Sequence, residues 1–87
     1  MELGEVSEQA KRQLANTTGL KPVAVTRFSK NEEGWHMRVE MLEMSRIPSA
    51  TDVLGDYEVL LSEEGCMLRF ERKRTRLRGE PMEEAAS

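Results

Sequence analysis

The chain has 87 residues, 38% of them hydrophobic and 33% charged, with one cysteine, one histidine and a formal net charge of −3. That length supports one small core, with about 60% of the unfolded surface buried on folding, and a lone Cys66 excludes an internal disulfide framework and fits a reducing, intracellular setting. No apolar run approaches the roughly 18 residues that span a bilayer, and the acidic start lacks the form of a signal peptide, so the protein reads as cytoplasmic, with no membrane partner.

Leu3, Val6, Ala10, Leu14 and Thr17 recur at intervals of three and four, which predicts an amphipathic helix from Leu3 to about Thr17. Glu2, Glu5 and Glu8 near its start and Lys11 and Arg12 further on suit the helix dipole. Gly19 supplies a left-handed cap, with Pro22 just beyond.

Four strands are predicted after it. The first covers Val23 to Ser29, with Val23 and Val25 on one face and Ala24, Thr26 and Phe28 on the other. A polar hairpin loop, Lys30 to Gly34, leads into a second strand from Trp35 to about Met44. There Trp35, Met37, Val39 and Met41 alternate with His36, Arg38 and Glu40, until adjacent Met41 and Leu42 break the pattern and predict a bulge. A connection from Ser45 to Asp52, stiffened by Pro48, precedes a third strand in which Val53, Gly55, Tyr57, Val59 and Leu61 share a face. Gly55 inside a strand marks a bulge or a close approach. Ser62 to Gly65 turns the chain into a fourth strand, Cys66 to about Leu77, with Leu68 and Phe70 facing the core.

The pattern predicts an α+β fold, one N-terminal helix packed on a four-stranded antiparallel meander, with the other sheet face wet. Residues 1–78 read as one domain and 79–87 as an acidic, disordered tail. The predicted core is Leu14, Val23, Val25, Trp35, Met37, Val39, Tyr57, Val59, Leu68 and Phe70.

The modest net charge conceals a division. Residues 1–68 carry seven basic and twelve acidic side chains, whereas residues 69–78 carry six basic ones and a single Glu71. On the last strand, alternation places Phe70, Arg72, Arg74 and Arg76 on one face and Arg69, Glu71, Lys73 and Thr75 on the other. Such a strip is a solvated edge that discourages strand pairing, a docking site for an acidic partner, or a nucleic-acid contact. Nucleic acid is disfavoured because stacking needs aromatics among the cations, and Phe70 is the only one. Another resolution is pairing of these arginines with Glu2, Glu5 and Glu8 of the helix. Glu40, Glu43 and Glu58 read as members of Glu–Arg ladders on a solvated face, contributing about 0.2–1 kcal/mol per pair.

Catalytic signatures are lacking in the sequence. One His and one Cys do not make a nucleophile–base pair or a transition-metal ligand set, and no phosphate-binding Gly-rich loop is present. His36 reads as a surface residue and Cys66 as a half-buried small one. No cofactor is expected.

The run Gly34-Trp35 … Val39-Glu40-Met41 … Glu43-Met44 … Arg46-Ile47-Pro48, followed by Tyr57-Glu58-Val59, an acidic Gly turn and an Arg-rich strand, resembles the O-type gas-vesicle accessory proteins from about Val23 to Arg78. The resemblance implies a non-enzymatic factor in assembly of buoyancy organelles. It also implies other gas-vesicle proteins as partners: the main shell protein, small accessory proteins and the ATPase often encoded beside them. Arg46, Ile47, Pro48, Arg72, Arg74, Arg76 and Arg78 are the candidate docking residues, and homodimerisation through a sheet edge stays open. The alternatives are a nucleic-acid or anionic-surface binder, and an inhibitory or ligand-binding module similar in topology to the PepSY type, which would need an apolar groove between helix and sheet.

Overall fold

The computed structural model describes residues 2–79; the predicted tail lies almost wholly outside them. Helix α1 (Leu3–Thr18) is followed by β1 (Lys21–Asn31), β2 (Gly34–Met44), a short 3-10 turn (Ser49–Thr51), β3 (Val53–Leu61) and β4 (Met67–Leu77). The strands form one antiparallel sheet in the order β1-β2-β3-β4, the expected meander, with α1 across one face.

At the start of α1 the Glu2 backbone N–H donates to the Glu5 carboxylate at 3.2 Å, and at its end Gly19 takes φ 76° and donates to the Ala15 carbonyl. Val6, Ala10 and Leu14 are fully buried against Met37, Val39 and Met41 of β2 and Tyr57, Val59 and Leu61 of β3. Burial of each larger side chain contributes roughly 1.5–3 kcal/mol. The stripe is shorter than its periodicity suggests, since Leu3 and Thr17 are exposed. Gln13, on the flank of the stripe, fastens α1 to the sheet: its amide donates to the Gly65 carbonyl and its Oε1 accepts the Met67 N–H at 2.7 Å. Nothing in the periodicity singles out this glutamine, because its partners lie more than fifty residues away.

Several face assignments are corrected by bulges. In β1 the register skips Val23 and Thr26, so Val25 pairs with Val39 and Phe28 with Met37, and both turn towards the helix. Val23 is expelled from the predicted core to 36% exposure. The β2 irregularity falls at Glu43, between Leu42 and Met44, rather than at Met41 and Leu42. In β4 the register skips Leu68 and Lys73. Leu68 is therefore 57% exposed and Phe70, on an edge strand at the margin of the helix's cover, 38% exposed, so neither belongs to the buried core. Phe70 keeps a ring contact with Tyr57, the centroids 6.2 Å apart. Trp35 is half-buried, stacked on Phe28 at 5.1 Å beneath the Lys30 ammonium.

Leu54 and Leu60 are buried although they lie on the face opposite the helix, and were not predicted as core. Leu54 pairs with Leu42 and Arg76, and Leu60 with His36 and Arg69, so neighbours with long stems flank both.

Candidate functional site

The bulge at Lys73 decides what the basic strip is. Before it, Arg72 pairs with Tyr57 and shares the helix side of the sheet with Phe70; after it, Arg74 pairs with Asp56 and Arg76 with Leu54, on the open side. The expected single face of Phe70, Arg72, Arg74 and Arg76 is thus divided. An inserted residue inverts the pleat for everything beyond it.

Each arginine of the strip meets a carboxylate of the sheet or its connection, not the helix glutamates. Arg72 makes a bidentate pair with Glu43, through Nε at 2.8 Å and Nη2 at 2.9 Å, and the same carboxylate accepts the Tyr57 hydroxyl at 2.7 Å. Gly55 makes room for this group: a Cβ there would lie on the Glu43 carboxylate, which is the close approach that a strand glycine signals. Arg74 and Arg38 flank Asp56, at 3.6 and 2.6 Å. Arg76 holds Glu40 in a second bidentate pair, at 2.8 and 3.1 Å, and Glu40 is only 5% exposed. Arg78 donates to Asp52 at 3.1 Å. Glu58 takes Lys73 at 3.3 Å, as the ladder reading expects.

Asp52 is the residue that sequence reasoning passed over. Its carboxylate accepts the Arg46 backbone N–H at 2.7 Å on one oxygen and the Arg78 guanidinium on the other, while its carbonyl accepts the Arg78 N–H at 2.9 Å. Gly79 donates to the Ala50 carbonyl, so the end of β4 is laced to the connection between β2 and β3. The available signal was that Asp52 is the sole acidic residue in that connection. The lacing brings the two halves of the predicted site together: Arg46, Ile47 and Pro48 sit on a loop held against Arg78. Arg72, by contrast, is on the other face of the sheet from Arg74 and Arg76. Within the loop the Ile47–Pro48 peptide is cis, the Arg46 Nε donates to the Met44 sulfur at 3.3 Å, and Ile47 is 100% exposed, with Met44 51% exposed.

The ion pairs set the acid–base properties of the site. The Arg72 hydrogen bonds hold the Glu43 carboxyl below its ordinary value, assisted by Tyr57 and opposed by burial. Burial, then the neighbouring Glu43 charge, pushes the Tyr57 hydroxyl up to about 12, so it stays a neutral donor. Asp52 is lowered chiefly by the Arg46 backbone N–H and then by Arg78. Because the folded value of Glu43 lies below that of the unfolded chain, its pairing stabilises the fold fully above pH 4.5 and the contribution is lost as pH falls through the folded value. Denaturant unfolding of wild type and Glu43→Gln should therefore differ most above pH 4.5 and converge in acid.

Among the described residues no group of three or more His, Cys, Asp or Glu side chains could hold a metal ion, and no helix is long and apolar enough to cross a membrane. The complete burial of Val6, Ala10 and Leu14 fills the seam between helix and sheet with side chains, against the apolar groove that a PepSY-like binding module would need.

The chain is 39% identical to gas vesicle protein O of a Streptomyces strain over 67 residues, which are 77% of this chain and 52% of the relative. It is 35% identical to gas vesicle protein O1 of Halobacterium salinarum and 33% identical to gas vesicle protein O of Haloferax mediterranei, each over 54 residues, 62% of this chain and 45% and 39% of those relatives. The chain thus spans about half the length, or less, of the curated relatives it matches. No solved structure gives a significant match, so the similarity to PepSY modules rests on topology alone. The family model for the gas vesicle synthesis protein GvpO matches residues 1–82, and with that match and these relatives the chain belongs to the GvpO family.

Proposed function

We propose that this protein is a non-enzymatic accessory factor in gas-vesicle assembly, working in the cytoplasm as a small adaptor that docks other gas-vesicle proteins. The family and the names of its relatives support the process. The observation that supports docking is Ile47, fully exposed on a loop that the Asp52 hydrogen bonds fix in place. A fully hydrated isoleucine on a pinned loop, with Met44 and Pro48 close in sequence, suits an anchor for a partner's pocket, since little conformational freedom is lost when it is buried. Arg46, next to it in the loop, orients an acidic rim. Arg72, Arg74, Arg76 and Arg78 contribute less to docking than a bare strip would, because each is engaged with a carboxylate of its own chain. The partners in this reading are the main shell protein before polymerisation, the small accessory proteins and the associated ATPase.

Ile47→Asp should leave the melting temperature unchanged, because an exposed side chain far from the core contributes within about 0.5 kcal/mol. In a deletion strain the same variant should fail to restore gas vesicles, and tagged protein should lose its gas-vesicle partners in a pull-down. Full complementation by Ile47→Asp would overturn the anchor role.

A further inference from the structure

The open face of the sheet carries a second charged feature, at the opposite end from the Ile47 loop. Arg27 of β1 and Arg38 of β2 are direct cross-strand partners on the face away from α1. Like charges placed directly opposite each other destabilise a sheet, so the arrangement calls for compensating anions. Arg38 has them on its β3 side, where Glu58 is its register partner. Asp56 holds Arg38 through Nη1 from the β3 side, and the Arg27 guanidinium has no hydrogen-bond or ion-pair partner among the described residues. This contrasts with β4, where Arg72, Arg74 and Arg76 each meet a carboxylate.

The two arginines open onto a cavity of about 310 Å³ lined by Arg27, Ser29, Asn31, His36, Arg38 and Glu58. Met37 also borders it, and its other neutral members are hydrogen-bonding groups. The Asn31 side chain is held by the Glu33 N–H at 2.8 Å and by His36 Nε2 at 3.1 Å, and Glu58 is engaged by Lys73. The unsatisfied charge in the cavity is therefore positive and localised on the Arg27 side.

We propose that this cavity is a docking site for an acidic segment of a protein partner, one carboxylate seating between Arg27 and Arg38 with Ser29 beside it. Guanidinium groups match a carboxylate with paired, charge-assisted hydrogen bonds. A nucleic-acid strand suits the place poorly. Phe28 and Trp35, the nearest aromatic rings in sequence, lie on the helix side of the sheet, so the bases of a strand would find nothing to stack on. The site lies about 20 Å along β2 from the Ile47 loop, six residues from Arg38 to Met44. Two separate docking surfaces are what an adaptor requires, although this one does not depend on the loop's being an anchor.

The test is a titration of the 15N-labelled full chain with a hexaglutamate peptide at low salt, read from amide shifts. Saturable shifts are expected at Ser29, His36 and Arg38, with affinity weakened about fivefold or more in Arg27→Gln and unchanged in Arg12→Gln, which removes an exposed cation from α1. Arg27→Gln should also melt no lower than wild type, since it relieves a repulsion. Ile47→Asp should bind the peptide as wild type does, so failure of the loop reading and failure of this one are separate results. Absence of saturable shifts at the cavity would overturn the proposal, as would equal losses in the two Arg→Gln variants. So would a lowered melt of Arg27→Gln, or oligothymidylate occupying the same residues as tightly as the peptide.

Discussion

Arg76→Ala should destabilise the protein by about 3 kcal/mol, whereas Arg74→Ala, two residues away on the same strand, should cost about 1 kcal/mol or less. The difference lies in their partners. Glu40 is 5% exposed and receives two hydrogen bonds from the Arg76 guanidinium, so truncation leaves a carboxylate with its charge unmatched and little water to solvate it. The Arg74 side chain is 62% exposed and stands 3.6 Å from Asp56, which Arg38 already holds at 2.6 Å. In a domain of this size a loss of about 3 kcal/mol lowers the melting temperature by more than about 10 °C. Replacing the pair together, as Glu40→Leu with Arg76→Met, should recover most of the loss, because a buried ion pair is worth little more than well-packed apolar groups. Equal melts for the Arg76 and Arg74 single variants would show that the Glu40 pair does not support the fold. The comparison also bears on any charge reversal of the strip. Glutamates at 72, 74 and 76 would stand beside Glu43, Asp56 and Glu40 and unfold the sheet, so a loss of gas vesicles in that triple variant would say nothing about docking.

Gly34→Ala should have a comparable or larger effect, on the order of 3 kcal/mol. Two independent costs meet there. Gly34 has φ 138°, a region that side-chain-bearing residues rarely adopt. An added Cβ would also collide with the Leu61 backbone carbonyl oxygen, on a β3 strand that is paired on both sides. The β2–β3 pairing at Trp35 and Leu61 would have to open, at the fully buried Leu61. Amide exchange should show the loss concentrated in that end of the β1–β2 hairpin, and a thermal melt should show the whole domain weakened. An Ala variant as stable as wild type would mean that the hairpin re-forms with another turn.

Much of this molecule is legible from residue order. Spacing at three and four places α1 with Val6, Ala10 and Leu14 inward, and alternation from Trp35 to Met41 and from Val53 to Leu61 places the two central strands, because both are periodicities of the chain itself. Gly19 and Gly34 mark their turns for the same reason: the backbone there needs a conformation that glycine supplies. The pattern from Trp35 through Pro48 to Val59 also suffices to indicate the GvpO family.

The edge strands and the charged site were decided by tertiary structure. Bulges at Val23, Thr26, Leu68 and Lys73 depend on how β1 and β4 fit their neighbours, and the residues skipped there include Val23 and Leu68, which left the predicted core; Phe70 keeps the helix side but lies at the margin of its cover. Pairing of the arginines with Glu40, Glu43, Asp52 and Asp56 joins residues 26 to 36 positions apart for the strongest pairs, and no local rule selects among sixteen carboxylates. Arg27 illustrates the converse. In the sequence it is one cation among thirteen; only the β1–β2 register sets it opposite Arg38, with no carboxylate partner among the described residues. A chain's own periodicity fixes which elements form, whereas the partner of a charge is fixed by the register between strands, and that is a property of the assembled sheet.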